Sequence, residues 1–189
     1  MVDGVNLKQE AANTSCERIE HELKELHRRH VKLECHSRRG NLKFFGIKER
    51  ENETNNDTEL ALREFMRTKL KILPVDEKNI HFDRVHRIMS RHSQSNGRSL
   101  KPRPIIVGLS DFQDKFFIKS FIKNLPRGTG FGISDDFPKE VDDVRKLLYP
   151  ILKAAKREKK NAYFNVEKLI IEGALYRDEE TSQFSFYGL

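Results

Sequence analysis

Residues 104–125, PIIVGLSDFQDKFFIKSFIKNL, pass in one step from a short apolar run to a helical pattern, and that step decides the fold. PIIVGL is continuous enough in apolar residues to be a buried strand. Asp111 stands where a helix start needs an oxygen acceptor, and DFQDKFFIKSFIKNL then reads as an amphipathic helix. Downstream, GFGISDDF (130–137) makes a short strand. Upstream, IHFDRVHRI (80–88) alternates through Ile80, Phe82, Val85 and Ile88, a strand whose uneven spacing implies a bulge.

Farther upstream, NLKFFGIKE (41–49) reads as a strand whose nearly continuous apolar centre implies burial on both faces. ENETNNDT (51–58) reads as a polar turn, with Thr58 or Asp57 capping a helix through ELALREFMRTKLKI (59–72). Leu60, Phe65, Leu70 and Leu73 are expected to help form its apolar face, and Pro74 to end it. The resulting order over 41–137 is β-α-β-β-α-β, the ferredoxin-like arrangement shared by RNA-recognition motifs. That topology also hosts enzymes and metal carriers, so by itself it assigns no function.

Two segments flank this unit, and the expected class is α+β with boundaries at 1–38, 39–137 and 138–189. On the C-terminal side, KEVDDVRKLLYPILKAAKREKK (139–160) is a helix with Val141, Val144, Leu148, Ile151 and Ala155 on one face and a kink or break expected at Pro150. NAYFNVEKLIIEGALYR (161–177) follows as a hairpin turning at Glu-Gly, and TSQFSFY (181–187) as a further strand. On the N-terminal side, Val5, Ala12, Ile19, Leu26 and Leu33 recur every seven residues. Gln9, Cys16, Leu23 and His30 form a second series three residues ahead. Read as d and a positions, these make a heptad seam, helical from about Ser15 onward. Such a narrow stripe suits a helix–helix seam better than a helix lying on a domain.

Composition points to an anionic partner. Lysine and arginine number 36 against 29 acids, a formal charge of +7. Between Arg84 and Arg103 stand six basic residues (Arg84, Arg87, Arg91, Arg98, Lys101 and Arg103) and no acid, an arm suited to phosphates; the bland reading is a loop kept soluble by charge. Arg38 and Arg39 form a second patch. Lys153, Lys156, Arg157, Lys159 and Lys160 form a third, which the helix dipole alone would explain. The strand at 104–109 lacks the aromatic residues that base-stacking motifs carry, and Phe44 and Phe45 must face opposite sides. Backbone capture in a basic cleft is therefore expected, with Tyr163 as a candidate for stacking.

Catalysis finds little support, and no cofactor or metal is expected. The seven histidines are scattered without HExxH spacing, and the chain has no GxSxG or P-loop. GTGFG (128–132) precedes a strand rather than opening a helix, and the Asp135-Asp136 pair reads as a solvated turn. Cys16 and Cys35 make no zinc or disulfide pattern. No basic head with an apolar stretch opens the chain, and no run reaches the ~18 apolar residues of a span. A soluble, intracellular protein without membrane contact is expected.

Four segments together resemble a family. SRRGNLKFFGIKE, DRVHRI, KPRPIIVGLSD and GISDDFPKEVDDVRK are similar to the first-reading-frame proteins of LINE-one-type retrotransposons, in order over about residues 37–177. The resemblance implies a homotrimeric coiled coil, an RNA-recognition motif and a C-terminal domain that clasp single-stranded RNA, with single-stranded DNA also open. It implies a nucleic-acid chaperone coating the element's transcript in cytoplasmic ribonucleoprotein particles, nuclear access being left open. By position it implies RNA contacts at Arg39, Asn41, Lys43, Arg84, His86, Arg87, Arg103, Lys123, Arg145, Lys146 and Tyr163, and the basic patch adds Arg38 to these. The seam would use Cys16, Ile19, Leu23, Leu26, His30 and Leu33. Arg29-His30-x-x-Leu33-Glu34 resembles the family's trimer-specifying pattern, with His30 in place of an apolar residue. The alternative is a protein-interaction scaffold that binds no RNA.

Overall fold

The computed structural model describes residues 2–89, 101–126 and 128–177. Arg91, Arg98 and the strand expected at 181–187 lie outside them. The class is α+β: a long N-terminal helix and two antiparallel sheets. The chain divides into two compact units, one of residues 37–136 and one of residues 1–36 with 137–189.

The N-terminal helix α1 spans Val2–Ser37, starting well before Ser15. In its polar stretch the hydroxyls of Thr14 and Ser15 donate to the Glu10 and Ala11 carbonyls at 2.9 and 2.8 Å, which satisfies them within the helix.

In the 37–136 unit the strands are β1 (Asn41–Phe45), β2 (Phe82–Arg87), β3 (Ile105–Leu109) and β4 (Gly132–Asp135). They form one sheet in the order β2-β3-β1-β4, and every pairing is antiparallel. The bulge falls between Phe82 and Arg84. Helices α2 (Asn55–Phe65), α3 (Pro74–Asn79) and α4 (Phe112–Ser120) complete the unit. The Asp111 carboxylate caps α4 by accepting from the Gln113 amide at 2.8 Å.

Helix α2 departs from expectation at three points. Its cap is Thr54, not Thr58 or Asp57: Thr54 Oγ1 accepts from the Asp57 amide at 3.2 Å, and Asp57 Oδ2 accepts from the Thr54 amide at 3.0 Å. This reciprocal box starts the helix inside the stretch read as a turn. Its last turn widens to π spacing over Met66–Leu70, which shifts the phase of the buried face. Leu62, Phe65, Met66, Leu70 and Ile72 are buried, while Leu60 and Leu73 are exposed; Leu60 and Leu62 precede the π turn, and ordinary helical spacing with Phe65 and Met66 puts Leu62 on the buried face. Lys71, at φ 64°, closes that turn, and Pro74 opens α3 at its first position instead of ending α2.

The core of this unit gathers Leu42 and Phe44 of β1, Val85 of β2, and Ile105 and Val107 of β3 against the α2 residues and Ile118 of α4. The Phe44 ring meets Phe65 edge-on at 6.1 Å, and Phe65 meets Phe131 at 5.3 Å. Leu42 and Phe44 of β1 thus face the core, with Lys43 and Phe45 on the other face and Asn41, on that same face, itself buried at 4% exposure.

In the other unit, α5 (Lys139–Arg157) continues helically through Pro150, so no break occurs there. Three strands follow: β5 (Ala162–Asn165), β6 (Lys168–Ile171) and β7 (Ala174–Leu175). The β5–β6 turn falls at Val166-Glu167, where Val166 has φ 54°, and Glu172-Gly173 makes the second turn. Val144, Leu148, Leu152 and Ala155 of α5 form a small core with Ala162 and Leu169; Ile151 packs at its edge.

Candidate nucleic-acid interface

Strand alternation sorts the residues of the four-stranded sheet. Arg84, Gly108 and Asn41 share one cross-strand row; His86, Ile106, Lys43 and Ser134 share the next on the same face. The opposite face holds Val85, Val107 and Leu42, then Arg87, Ile105, Phe44 and Ile133. One face is therefore mainly the core, and the other is polar and basic.

Gly108 has a specific use in the first row. A Cβ there would stand 3.0 Å from Arg84 Cγ and 3.5 Å from Asn41 Oδ1. The exposed Arg84 side chain thus crosses the bare backbone of β3 toward β1.

Asp136, expected to be a solvated turn residue, is buried and gathers the entry of β1 around itself. Its Oδ2 accepts from Asn41 Nδ2 at 2.9 Å, and its Oδ1 lies 3.1 Å from Lys43 Nζ and 3.3 Å from Arg38 Nη1. Burial alone would raise its carboxyl pKa; the Asn41 and Lys43 bonds, with the charges of Lys43 and Arg38, outweigh burial and lower it. Neighbouring Asp135 is likewise lowered: burial opposes the shift, and the ammonium groups of Lys119 and Lys115 drive it from 2.9 and 3.0 Å. Lys115 also donates to the Arg39 carbonyl at 2.5 Å, while the Arg39 side chain is exposed.

Arg87, expected on the RNA path, is instead a buried structural residue. Its side chain is buried on the core face, and Nε and Nη2 bond Glu53 at 2.9 and 3.2 Å. Nη1 donates to the Ile47 and Arg103 carbonyls, and Nη2 to the Lys48 carbonyl, each at 2.8 Å. A guanidinium has five N–H donors, and these five bonds use them, leaving none for a phosphate. Arg103 is intermediate. Its Nε donates to Glu49 Oε1 at 2.8 Å and Nη2 reaches the same oxygen, yet 39% of the side chain stays exposed. The acid-free run from Arg84 to Arg103 is thus partly neutralised by two acids from outside it.

The remaining residues separate by unit. Lys123 is exposed on a 3₁₀ turn after α4. On α5, the half-buried Arg145 guanidinium stacks over Phe137 and Phe164 at 4.7 and 4.4 Å and donates to the Val166 carbonyl, so it braces the hairpin turn. Lys146 is exposed and pairs with Asp143 at 2.7 Å. Tyr163 projects from β5, 48% exposed.

Along α1, the seam residues Ile19, Leu23, Leu26 and Leu33 are 58%, 63%, 64% and 69% exposed. Cys16 and His30 are exposed with them. Val31, on another face of the same helix, is fully buried. Arg29 pairs with Glu25 at 3.0 Å, and His30 lies 4.0 Å from Glu34.

Glu49, Glu53 and Asp136 as partners of the cations, and Phe45 as a residue of the polar face, are not evident from the sequence, because each comes to its place only through the fold. Among the described residues no group of three or more potential metal ligands occurs, and no helix is long and apolar enough to cross a membrane. No protein-family model and no curated protein matches the chain.

Proposed function

We propose that this protein binds single-stranded RNA through the phosphate backbone, as a self-associating nucleic-acid chaperone of the LINE-one first-reading-frame kind and not as an enzyme. The observation that carries this reading is the polar face of the four-stranded sheet, where Arg84, His86, Asn41 and Lys43 stand in two adjacent rows. The order β2-β3-β1-β4 supports reading the 37–136 unit as a ferredoxin-like RNA-recognition motif. The exposed stripe on α1 supports reading that helix as one strand of a homotrimeric coiled coil. Single-stranded DNA presents the same phosphates, and a cytoplasmic ribonucleoprotein particle with nuclear access fits this role.

Lys43 and Arg38 share Asp136 in the free protein, so a phosphate arriving there competes with that carboxylate. Weak dependence on base sequence follows, because phosphate contacts carry no base information. Titrating a fluorescent single-stranded RNA with the full chain over a range of salt tests the reading. Log affinity is expected to fall linearly with log salt, by roughly 0.7 per phosphate contact. A flat response, or no binding at low salt, rejects it.

A scaffold that binds protein is the second reading. Phe112 and Phe116 of α4 favour it, being 41% and 53% exposed with their rings edge-on at 5.0 Å.

A further inference from the structure

The polar face of the sheet ends in a groove of about 820 Å³, a size typical of small-molecule sites. Phe45 lies in it, turned away from the core that holds Phe44. Its partner across the β1–β4 pairing is Gly132, where a Cβ would sit 3.8 Å from the Phe45 ring atom Cδ2. A glycine there leaves that side of the ring uncrowded. Pro104 adds apolar surface, and Lys101 and Arg103 bring two cations to the same groove.

The glycine-rich segment 128–132, which fits no phosphate loop that opens a helix, supplies part of the wall. A Cβ on Gly46, at φ +82°, would fall 2.7 Å from the Gly130 carbonyl oxygen, so only glycine lets that backbone come so close. Phe131, between Gly130 and Gly132, packs on Phe65 of the core and anchors the wall.

We propose that this groove takes one unstacked nucleobase of a bound single strand, with Phe45 as the stacking surface and Lys101 and Arg103 on the adjoining phosphate. The proposal rests on the single-strand reading above. An apolar, aromatic-lined slot with cations beside it matches a flat heterocycle linked to an anion. Thr129 is the one neutral side chain with a hydrogen-bonding group among the described lining residues, so the slot accepts any base through its π face.

The test uses the full chain and a single-stranded RNA carrying one 2-aminopurine. In the unmodified protein the fluorescence of the bound probe is expected to be quenched by stacking on Phe45. Phe45→Leu should weaken binding by about tenfold and abolish that quench while leaving the salt slope unchanged. Gly132→Val, which fills the space beside the ring, should do the same and decides the matter should Phe45→Leu misfold. Lys101→Ala should instead lower the slope by about 0.7. If the unmodified chain binds with a steep slope and the folded variants keep both affinity and quench, the pocket is overturned and the single-strand reading stands. If the unmodified chain binds no RNA, both fall.

Discussion

Arg87 and Glu53 form an ion pair with both side chains almost entirely out of solvent, at 4% and 2% exposure, joined at 2.9 and 3.2 Å. The same guanidinium holds the carbonyls of Ile47, Lys48 and Arg103. One side chain on β2 therefore fixes the segment leaving β1 and the residues entering β3. Glu53 is buried, which alone would raise its carboxyl; the Arg87 bond, with the Arg50 amide and the Thr58 hydroxyl, brings it below its ordinary value.

Arg87→Ala is expected to destabilise the protein by ~3–5 kcal/mol, because it leaves the Glu53 charge buried without its partner. Arg87→Lys should restore little, since an ammonium cannot span the fork of acceptors. Urea unfolding followed by circular dichroism measures both. A fully stable Arg87→Ala protein that lost only RNA affinity would return Arg87 to the RNA path.

Asp136 makes an acid-labile contact. Its folded-state pKa lies below the ordinary 3.8. Its contribution to stability is therefore complete above about pH 4 and lost as the pH falls through the lowered value. The melting temperature of the unmodified protein should drop more steeply below about pH 4 than that of Asp136→Asn. At neutral pH, Asp136→Asn should bind RNA more tightly at low salt, because Lys43 and Arg38 lose the charge that neutralises them. Equal acid sensitivity of the two proteins would remove Asp136 from this role.

The α1 seam predicts assembly. Ile19 and Leu26 are apolar and exposed, so replacing both with aspartate removes no packing within the chain. Sedimentation should report a trimer for the unmodified protein and a monomer with an unchanged melting profile for the double variant. An unmodified chain that is monomeric at tens of micromolar, on the order of a weak interface's dissociation constant, contradicts the seam.

Tyr163 and Arg145 separate two kinds of contribution in the other unit. Tyr163→Ala should cost binding ~1–3 kcal/mol through lost stacking, without altering the salt slope. Arg145→Ala should lower stability, because its guanidinium braces Phe137, Phe164 and the turn at Val166. Binding and unfolding measured on the same preparations distinguish the two.

The order of strands and helices was legible because period-two and helical apolar patterns are local signals, and even the bulge in β2 appeared as uneven spacing. The start of α2 was not, since Thr54 and Asp57 cap each other inside a stretch whose composition reads as a turn. Leu60 was expected on the apolar face, but the buried series of α2 runs through Thr58, Leu62, Phe65 and Met66 at ordinary helical spacing, and Leu60, two residues from Leu62, points away from it. Counting charge along 84–103 found the basic run but missed its neutralisation, because Glu49 and Glu53 arrive from a distant segment. Asp136 was hidden likewise: only the β1–β4 pairing brings it to Asn41 and Lys43.

The central claim is that the polar face of the sheet carries RNA phosphates, and the salt slope of Arg84→Ala tests it most directly. Arg84 is exposed and only crosses Gly108, so the variant should fold normally. For every single-stranded sequence its log–log slope should be smaller than that of the unmodified protein by roughly 0.7, and the Arg84→Ala, Lys43→Ala double variant should lose about twice that. A folded double variant that keeps the full slope and affinity contradicts the account.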